Sequence, residues 1–387
     1  TPRIDFTNNT DGHLLLEPER TNLITYSEDF NDSYWIPTGA SVSLSTTTSP
    51  DGLATSYKLI PDNGTGGNRS ISKQFNGLSN NHTHTCFAKK GEYNYLMLRM
   101  RNNPNVGVMF DLENGTFNLN NPGDSYVDSE IESIGNGWYR CSITLDPSQS
   151  VTVGQINISM SVGITGSETH SFNGDGTSGI YIWGCGFEEG SYATSYIPTH
   201  GSTTTRAADT CVDAGTSQDF NSTEGVLFAE MAALADDETN REITLSDGST
   251  TNYVLIRFNN GGSNRIYTRV DVNAGGGVQY YDLDTGHTIT DVNKIAIRWD
   301  NSNFVTFING VKVGSQLSGS SFSADTLNEL NFNNGTGGNN FYGKVKQLQV
   351  YKEALNGTRL THLTGTLGTD FYESYAEMAS ALTYTIQ

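Results

Sequence analysis

The stretch Ile180-Tyr-Ile-Trp-Gly-Cys-Gly-Phe-Glu-Glu-Gly-Ser-Tyr-Ala-Thr-Ser-Tyr-Ile-Pro-Thr-His-Gly-Ser-Thr-Thr-Thr-Arg-Ala-Ala-Asp209 divides the chain. Its first eight residues, Ile180 to Phe187, are apolar, aromatic or glycine. A short apolar run bounded by turn residues reads as a buried strand. Pro198 closes the segment, and from Thr199 to Ser222 the composition turns to Thr, Ser, Gly and Asp, as in a linker. The reading is therefore a last strand of one β domain followed by a passage into a second.

Towards the N-terminus, residues 21–198 read as the first β-sandwich. Strand-like runs lie at Ala54–Ile60, Thr83–Lys89, Tyr93–Arg101, Gly107–Leu112, Trp138–Leu145 and Gln155–Val162. Asn114-Gly115 between two runs predicts a hairpin turn. Residues 1–20 form an arm in which Leu14-Leu15-Leu16 predicts a brief strand docking on the domain that follows. Beyond the 199–222 linker, residues 223–356 read as a second sandwich. Val254, Ile256 and Phe258 alternate with Tyr253, Leu255 and Arg257, and Ile266, Thr268 and Val270 alternate with Tyr267 and Arg269. Such alternation marks half-buried strands. Phe304–Ile308, Asn309-Gly310 and Val311-Lys312-Val313 predict a tight hairpin. A long strand runs from Phe341 to Tyr351. Residues 357–387 form an extension, with helical turns over Thr358–Leu363 and an amphipathic helix with a strand-like tail over Ser374–Gln387. The predicted class is all-β: two tandem antiparallel β-sandwiches with a short C-terminal helical extension.

Composition supports that class. The 387 residues suffice for two domains. Forty-two glycines and abundant Asn, Ser and Thr supply the turns of many short strands. The net charge is −20, which repels nucleic-acid phosphates and anionic lipid headgroups. Neither nucleic-acid binding nor membrane insertion is expected, since no apolar run approaches the ~20 residues of a membrane span. The chain opens Thr1-Pro2-Arg3 without Met, as a fragment or processed product would. Cys86, Cys141, Cys185 and Cys211 are widely and irregularly spaced, which disfavours a zinc site. The spacing leaves free buried thiols and a single disulfide both open.

Three resemblances add to this. Asn22-Leu23-Ile24 followed by Phe30 and Trp35 resembles the start of jelly-roll carbohydrate-binding modules. The Asn309-Gly310 hairpin with Gly343-Lys-Val and Val350-Tyr-Lys-Glu-Ala-Leu355 resembles laminin-G and concanavalin A-like lectin/glucanase domains. Leu14–Phe30, Phe87–Gly91, Gly135–Arg140, Ile180–Asp209 and Glu377–Gln387 together resemble modules of bacteriophage tail fibres. That last resemblance implies a virion-surface adhesin made in the host cytoplasm. It also implies a homotrimer that contacts other virion proteins and a host cell-surface polysaccharide. The rival readings are a head fibre or decoration protein, and a polysaccharide-degrading enzyme or its binding portion.

Few residues offer catalytic or ligand chemistry. Asp282-Leu283-Asp284 is the nearest approach to a catalytic acid pair, but it lacks the flanking Glu of a Glu-x-Asp-x-Glu strand. No catalytic residue is expected. His82 and His84 alternate on a strand without a third ligand, so no metal site is expected there. The Gly/Asp/Asn loop Phe172–Gly179 offers oxygens for a structural calcium near Asp175, but it lacks the 12-residue EF-hand pattern and a turn with Asx caps explains it without a metal. Gly64–Gly67 and Gly275–Gly277 precede no helix, which removes a phosphate loop. No cofactor is otherwise expected. Sugar recognition calls for aromatic faces beside polar side chains. The candidates are Tyr253, Arg257, Tyr267 and Arg269 as an exposed patch on adjacent strands, with an ordinary solvated sheet face or a subunit contact as rival readings, and Tyr34 and Trp35 near the start of the first sandwich, where Trp35 reads as core ahead of sugar platform.

Overall fold

The computed structural model describes residues 3–6, 11–101, 106–119, 125–146, 151–163, 172–273, 279–284, 286–301, 303–316 and 319–365. They form two compact units, one of Glu19–Ala208 and one assembled from Thr1–Pro18 with Asp209–Gln387.

The Glu19–Ala208 unit holds two six-stranded antiparallel sheets. One runs Thr116–Leu119, Val106–Asp111, Tyr95–Arg101, Val151–Ser161, Ser70–Leu78, Ile36–Thr38. The other runs Tyr126–Gly135, Trp138–Leu145, His82–Lys89, Ile180–Glu189, Tyr57–Pro61, Ala40–Leu44. Period-2 alternation sends Leu96, Leu98, Ile156 and Ile158 from the first sheet and Cys86, Ile143, Ile182 and Phe187 from the second into one shared core. In the Ile180–Glu189 strand that alternation survives only because Gly184 is inserted as a bulge between Trp183 and Cys185. Its φ of 51° suits glycine, and an added Cβ would lie 3.0 Å from the Phe87 ring. Ile182, Cys185 and Phe187 thus face the core, while Trp183 faces outward.

Outward does not mean bare. Trp183, Trp138 and Phe87 form a second apolar cluster on the other side of this sheet. The segment 48–55 lies over it: Trp138 Nε1 donates to Thr48 O at 2.9 Å and Trp183 Nε1 to Thr55 Oγ1 at 3.2 Å.

The Asn-Leu pair at the start of this unit has a structural task. Asn22 is buried and makes four hydrogen bonds. Its Nδ2 donates to Cys185 O at 3.1 Å and Ile197 O at 2.8 Å. Its Oδ1 accepts from Ile24 N and Phe187 N, each at 3.1 Å. Two donors and two acceptors use the full capacity of the amide. The stretch that follows Phe187 folds around this corner: Tyr196 OH donates to Ser27 Oγ at 2.8 Å, and Thr194 N and Oγ1 each donate to the Glu188 carboxylate at 2.7 Å.

The other unit packs a seven-stranded against a five-stranded antiparallel sheet. The larger runs Arg3–Asp5, His13–Leu16, Gly343–Tyr351, Gly225–Ala233, Asn293–Trp299, Phe304–Ile308, Val311–Gln316. The smaller runs Gln279–Asp284, Arg265–Asp271, Tyr253–Phe258, Arg241–Ser246, Glu329–Asn331. Leu227, Ile295, Ile297 and Trp299 meet Val254, Ile256, Ile266 and Val270 in its core. The helix Gly357–Thr364, capped by Asn356 accepting from Arg359 N, lays Leu360 and Leu363 over Val226, Phe228 and Phe307 on the other face of the larger sheet.

Two expectations are corrected. The arm does not dock on the domain that follows it. Leu14 pairs with Val345, Leu15 with Lys344 and Leu16 with Gly343, so His13–Leu16 extends the sheet of the C-terminal unit. The reason is burial: Leu16 enters that unit's core, and the added strand covers an edge of Gly343–Tyr351 that would otherwise be open. Nor are residues 199–222 a free linker. Thr204–Arg206 pairs with Arg20–Asn22, and Ala214 forms a bridge with Leu330. The chain changes units at 18/19 and 208/209. Those two passages are tied within the C-terminal unit: Asp209 N donates to Glu17 O at 2.9 Å, Glu17 N donates to Asp209 Oδ2 at 2.8 Å, and Arg3 bonds both carboxylates. The Ser374–Gln387 expectation lies outside the described residues.

Candidate functional site

Strand register brings the four predicted patch residues together. Arg257 stands directly opposite Tyr267 on the neighbouring strand, and Leu255 opposite Arg269. The Arg257 guanidinium carbon lies 5.0 Å from the Tyr267 ring centre, and that of Arg269 lies 5.7 Å from the Tyr253 ring centre. Both cations also hold acids. Arg257 Nε sits 2.7 Å from Glu242 Oε1, and Arg269 Nη2 sits 2.5 Å from Asp271 Oδ2. Arg257 Nη1 further donates to Asn260 Oδ1 at 2.6 Å.

The expected exposed patch is therefore a charge-balanced ladder, in which Arg269 Nε is buried without a hydrogen-bond partner among the described residues. Two Arg are balanced by Glu242 and Asp271. Tyr267 is only 7% exposed. Burial pushes the Tyr253 phenol up to about 12. The aromatic faces are met by guanidinium groups of the same sheet, a contact worth about 0.5–1 kcal/mol at exposed sites and more when desolvated.

The two N-terminal candidates are also engaged. Trp35, 3% exposed, belongs to the core; its Nε1 donates to Tyr26 O at 3.0 Å and it packs against Phe30. Its place agrees with the core reading of Trp35 over the sugar-platform one: the indole bond to Tyr26 and its aromatic neighbours turn it inward. Tyr34 is half-buried, with the Lys73 ammonium 3.9 Å above its ring, and burial raises its phenol to about 12.

The remaining chemistry is placed as follows. The Asp282-Leu283-Asp284 backbone lies on an edge strand, Asp282 opposite Tyr267 and Asp284 opposite Arg265. His82 and His84 are both buried. Burial lowers His82 and takes His84 down to about 3. Asp175 accepts from Thr177 N, Ser178 N and Ser178 Oγ at 2.6–2.9 Å, and these bonds hold its carboxyl below the usual range. Among the described residues, no group of three or more His, Cys, Asp or Glu is arranged to hold a metal.

A cleft that sequence reasoning did not single out lies in the C-terminal unit. A cleft of about 270 Å³ has Leu16, Phe332 and Phe341 as apolar lining and Asp209, Asn333 and Asn340 among its polar groups. The segment 333–340 forms one wall. It is shaped by its own side chains: Asn333 Oδ1 accepts from Gly335 N at 2.7 Å, and Asn334 Oδ1 accepts from Thr336 N and Gly338 N at 3.0 and 2.9 Å. Gly337, with φ of 93° and nothing within 4 Å of a would-be Cβ, keeps the wall open. Thr244 Oγ1 anchors the segment by donating to Asn333 O at 2.8 Å. Asp209 is held by Arg3 and Glu17 N, whereas Asn340 Nδ2 makes a long 3.2 Å bond to Tyr342 OH. Phe332 and Phe341 are 6% and 1% exposed core side chains, so the cleft offers a small apolar floor beside amides and one compensated carboxylate. The sequence signal was the Asn/Gly run before the closing strand, which reads only as a turn.

Residues 230–361 match the family model of the concanavalin A-like lectin/glucanases superfamily, of the laminin-G type. That segment is a concanavalin A-like domain. No curated protein matches the chain by sequence. Among solved structures, the chain is similar to the CBM40 module of the Ruminococcus gnavus IT-sialidase at 16% identity and a TM-score of 0.32, over 37% of this chain and 84% of that one. It is similar to domain 4 of an extracellular arabinanase from Geobacillus stearothermophilus, in complex with arabinotriose, at 16% identity and a TM-score of 0.29, over 45% and 80%. It is also similar to domains LG4-5 of the mouse laminin alpha1 chain at 10% identity and a TM-score of 0.27, over 90% and 95%. At such scores these likenesses say nothing about ligand.

Proposed function

We propose that this chain binds a bacterial surface polysaccharide without cleaving it, as the distal part of a phage tail fibre assembled as a homotrimer. The observation that carries the binding reading is the 270 Å³ cleft, apolar within and amide-edged, built into the unit that contains the concanavalin A-like segment. The cleft is the ligand site in this reading. The Arg257/Tyr267 and Arg269/Tyr253 ladder already engages its own cations and ring faces. The volume falls below the roughly 300–1,000 Å³ of drug-sized sites, which fits one sugar unit of a chain rather than a long oligomer. A single such contact is weak. Several copies on one particle supply avidity without new contacts. The fibre assignment rests on the sequence resemblance and on that need for multivalency.

The test is calorimetric titration of the full chain with purified polysaccharides of candidate hosts, run beside a reducing-end assay and light scattering. Asn340→Ala is expected to weaken binding about fivefold, since a lost hydrogen bond to a bound ligand removes on the order of 1 kcal/mol, and Thr210→Lys, at another lining residue of the cleft, by about tenfold or more, since a lysine fills it. Unchanged affinity in both variants would remove the cleft from the reading. New reducing ends would make the protein an enzyme, and a monomer in solution would overturn the fibre assembly.

A further inference from the structure

The four cysteines are far apart in sequence, yet the sheet gathers three of them. Cys86 on His82–Lys89 lies directly opposite Cys141 on one side and Cys185 on the other. All three are fully buried and are free thiols. Cys211 belongs to the other unit. The bulge at Gly184 is what delivers Cys185 to this row; without the extra residue its side chain would point to the opposite face.

The two neighbours of Cys86 are not equivalent. Cys185 N donates to Ser27 O at 2.8 Å, and Cys185 O accepts from Asn22 Nδ2 at 3.1 Å. Both backbone groups thus point away from His82–Lys89, which makes Cys86:Cys185 a non-hydrogen-bonded pair. Such pairs bring Cα atoms to about 4.5 Å, against about 5.5 Å for hydrogen-bonded pairs. Disulfides span Cα separations of roughly 4.4–6.8 Å and Cβ separations of about 3.5–4.5 Å, so the closer pair is favoured. In a central antiparallel strand the two sides alternate, and Cys86:Cys141 is then the wider pair. The Cys185 sulfur lies 3.5 Å from His84 Nε2, and Cys86 Sγ donates to Phe87 O at 3.4 Å.

We propose that Cys86 and Cys185 are a latent cross-strand disulfide pair, closed by a low-molecular-weight disulfide while Cys141 remains a thiol. One protein thiolate attacks the small disulfide, forming a mixed disulfide and releasing one small thiol. The second protein thiolate then attacks the protein sulfur of that mixed bond and releases the other. One protein S–S bond forms, two electrons pass to the small disulfide, and the two protein protons end on the two small thiols. Burial raises the Cys185 thiol well above its ordinary value. It also holds His84 neutral, so the thiolate is scarce. Closure is accordingly slow and proceeds through opening of the strands. The finished bond encloses the chain between residues 86 and 185 and joins two central strands of one sheet.

The experiment incubates the full chain with oxidised glutathione just below its unfolding onset. Alkylation under denaturing conditions follows, with intact mass and peptide mapping as readouts. Two of the four thiols should disappear, the map should link Cys86 to Cys185, and dithiothreitol should restore all four. Cys141→Ser should oxidise like the parent and Cys185→Ala should not. Four surviving thiols after an incubation in which amide exchange shows these strands opening would overturn the proposal. So would a Cys86–Cys141 link or any link to Cys211. The peptide map of the parent chain distinguishes these outcomes even if a variant fails to fold.

Discussion

Asn22→Ala is the sharpest test of how the Glu19–Ala208 unit is held. The substitution removes a 2%-exposed amide whose four bonds satisfy Cys185 O, Ile197 O, Ile24 N and Phe187 N. Each buried backbone group left without a partner costs about 1–3 kcal/mol. At the low end four such groups cost about 4 kcal/mol, a large share of the roughly 5–15 kcal/mol that stabilises a folded domain. For a unit of this size a destabilisation of about 1 kcal/mol lowers Tm by roughly 2–4 °C, so the transition should fall by about 8–16 °C. Asn22→Asp separates hydrogen bonding from packing. It keeps the shape and the acceptors, but turns a carboxylate oxygen towards two carbonyls, so it should be at least as harmful as alanine. Calorimetry of the full chain, with urea unfolding as a check, measures both. A loss below about 1 kcal/mol for Asn22→Ala, or an Asn22→Asp protein as stable as the parent, would refute the reasoning, since one ordinary hydrogen bond alone contributes about that much.

Leu16→Ala should destabilise the other unit by about 2–4 kcal/mol, through the cavity left where the arm enters its core, leaving the Glu19–Ala208 transition in place in the same calorimetric scan. His84 gives a pH signature: its pKa falls from 6.5 to about 3 on folding, so its contribution is complete above pH 6.5 and is lost progressively as pH falls from 6.5 towards 3. At about pH 5 the loss from this residue is about 2 kcal/mol, and His84→Leu should flatten the pH dependence of urea unfolding over that range. Calcium, added or chelated, should leave the melting temperature unchanged, because the Asp175 carboxylate is taken up by Thr177 and Ser178; a calcium-dependent rise abolished by Asp175→Ala would place a cation there.

Strands whose apolar residues alternate with polar ones, or that flank a tight turn, were legible. Tyr253–Phe258, Arg265–Asp271 and the hairpin at Asn309-Gly310 fall where alternation and turn chemistry put them. Among strands covered on both faces, His82–Lys89 and Val106–Asp111 were legible from their apolar runs, while two others were not. Gly225–Ala233 is buried at every position and its sequence shows no period of two, whereas Arg241–Ser246 alternates Ile243 and Leu245 with Glu242, Thr244 and Ser246 but is too short to stand out. The ladder partners Arg257 and Tyr267 were legible as neighbours, since pairing follows from a short hairpin. Their exposure was not, because Glu242 and Asp271 reach them only through the register of the folded sheet. The cleft depends on Leu16, Asp209 and Asn340, and their meeting follows from a long-range pairing that no local pattern encodes. The Cys86–Cys185 pairing was hidden for the same reason, and a one-residue bulge decides it.

The arm that pairs Leu14 with Val345 also sets an order of events during synthesis. Its partner strand is 331 residues away (345 − 14), and ribosomes add roughly 5–20 residues per second. The arm therefore emerges about 15–65 s before the strand it must join. The whole Glu19–Ala208 unit is translated in between and can fold within that interval. The C-terminal unit can close only after the chain has passed Tyr351, and until then Leu14 and Leu16 form an unpartnered apolar edge. Arg3, Asp5 and Glu17 flank that edge with charge, the kind of gatekeeping that slows pairing with a second nascent chain. Synthesis rate and chaperone supply should thus govern the yield of this protein more than the stability of either folded unit.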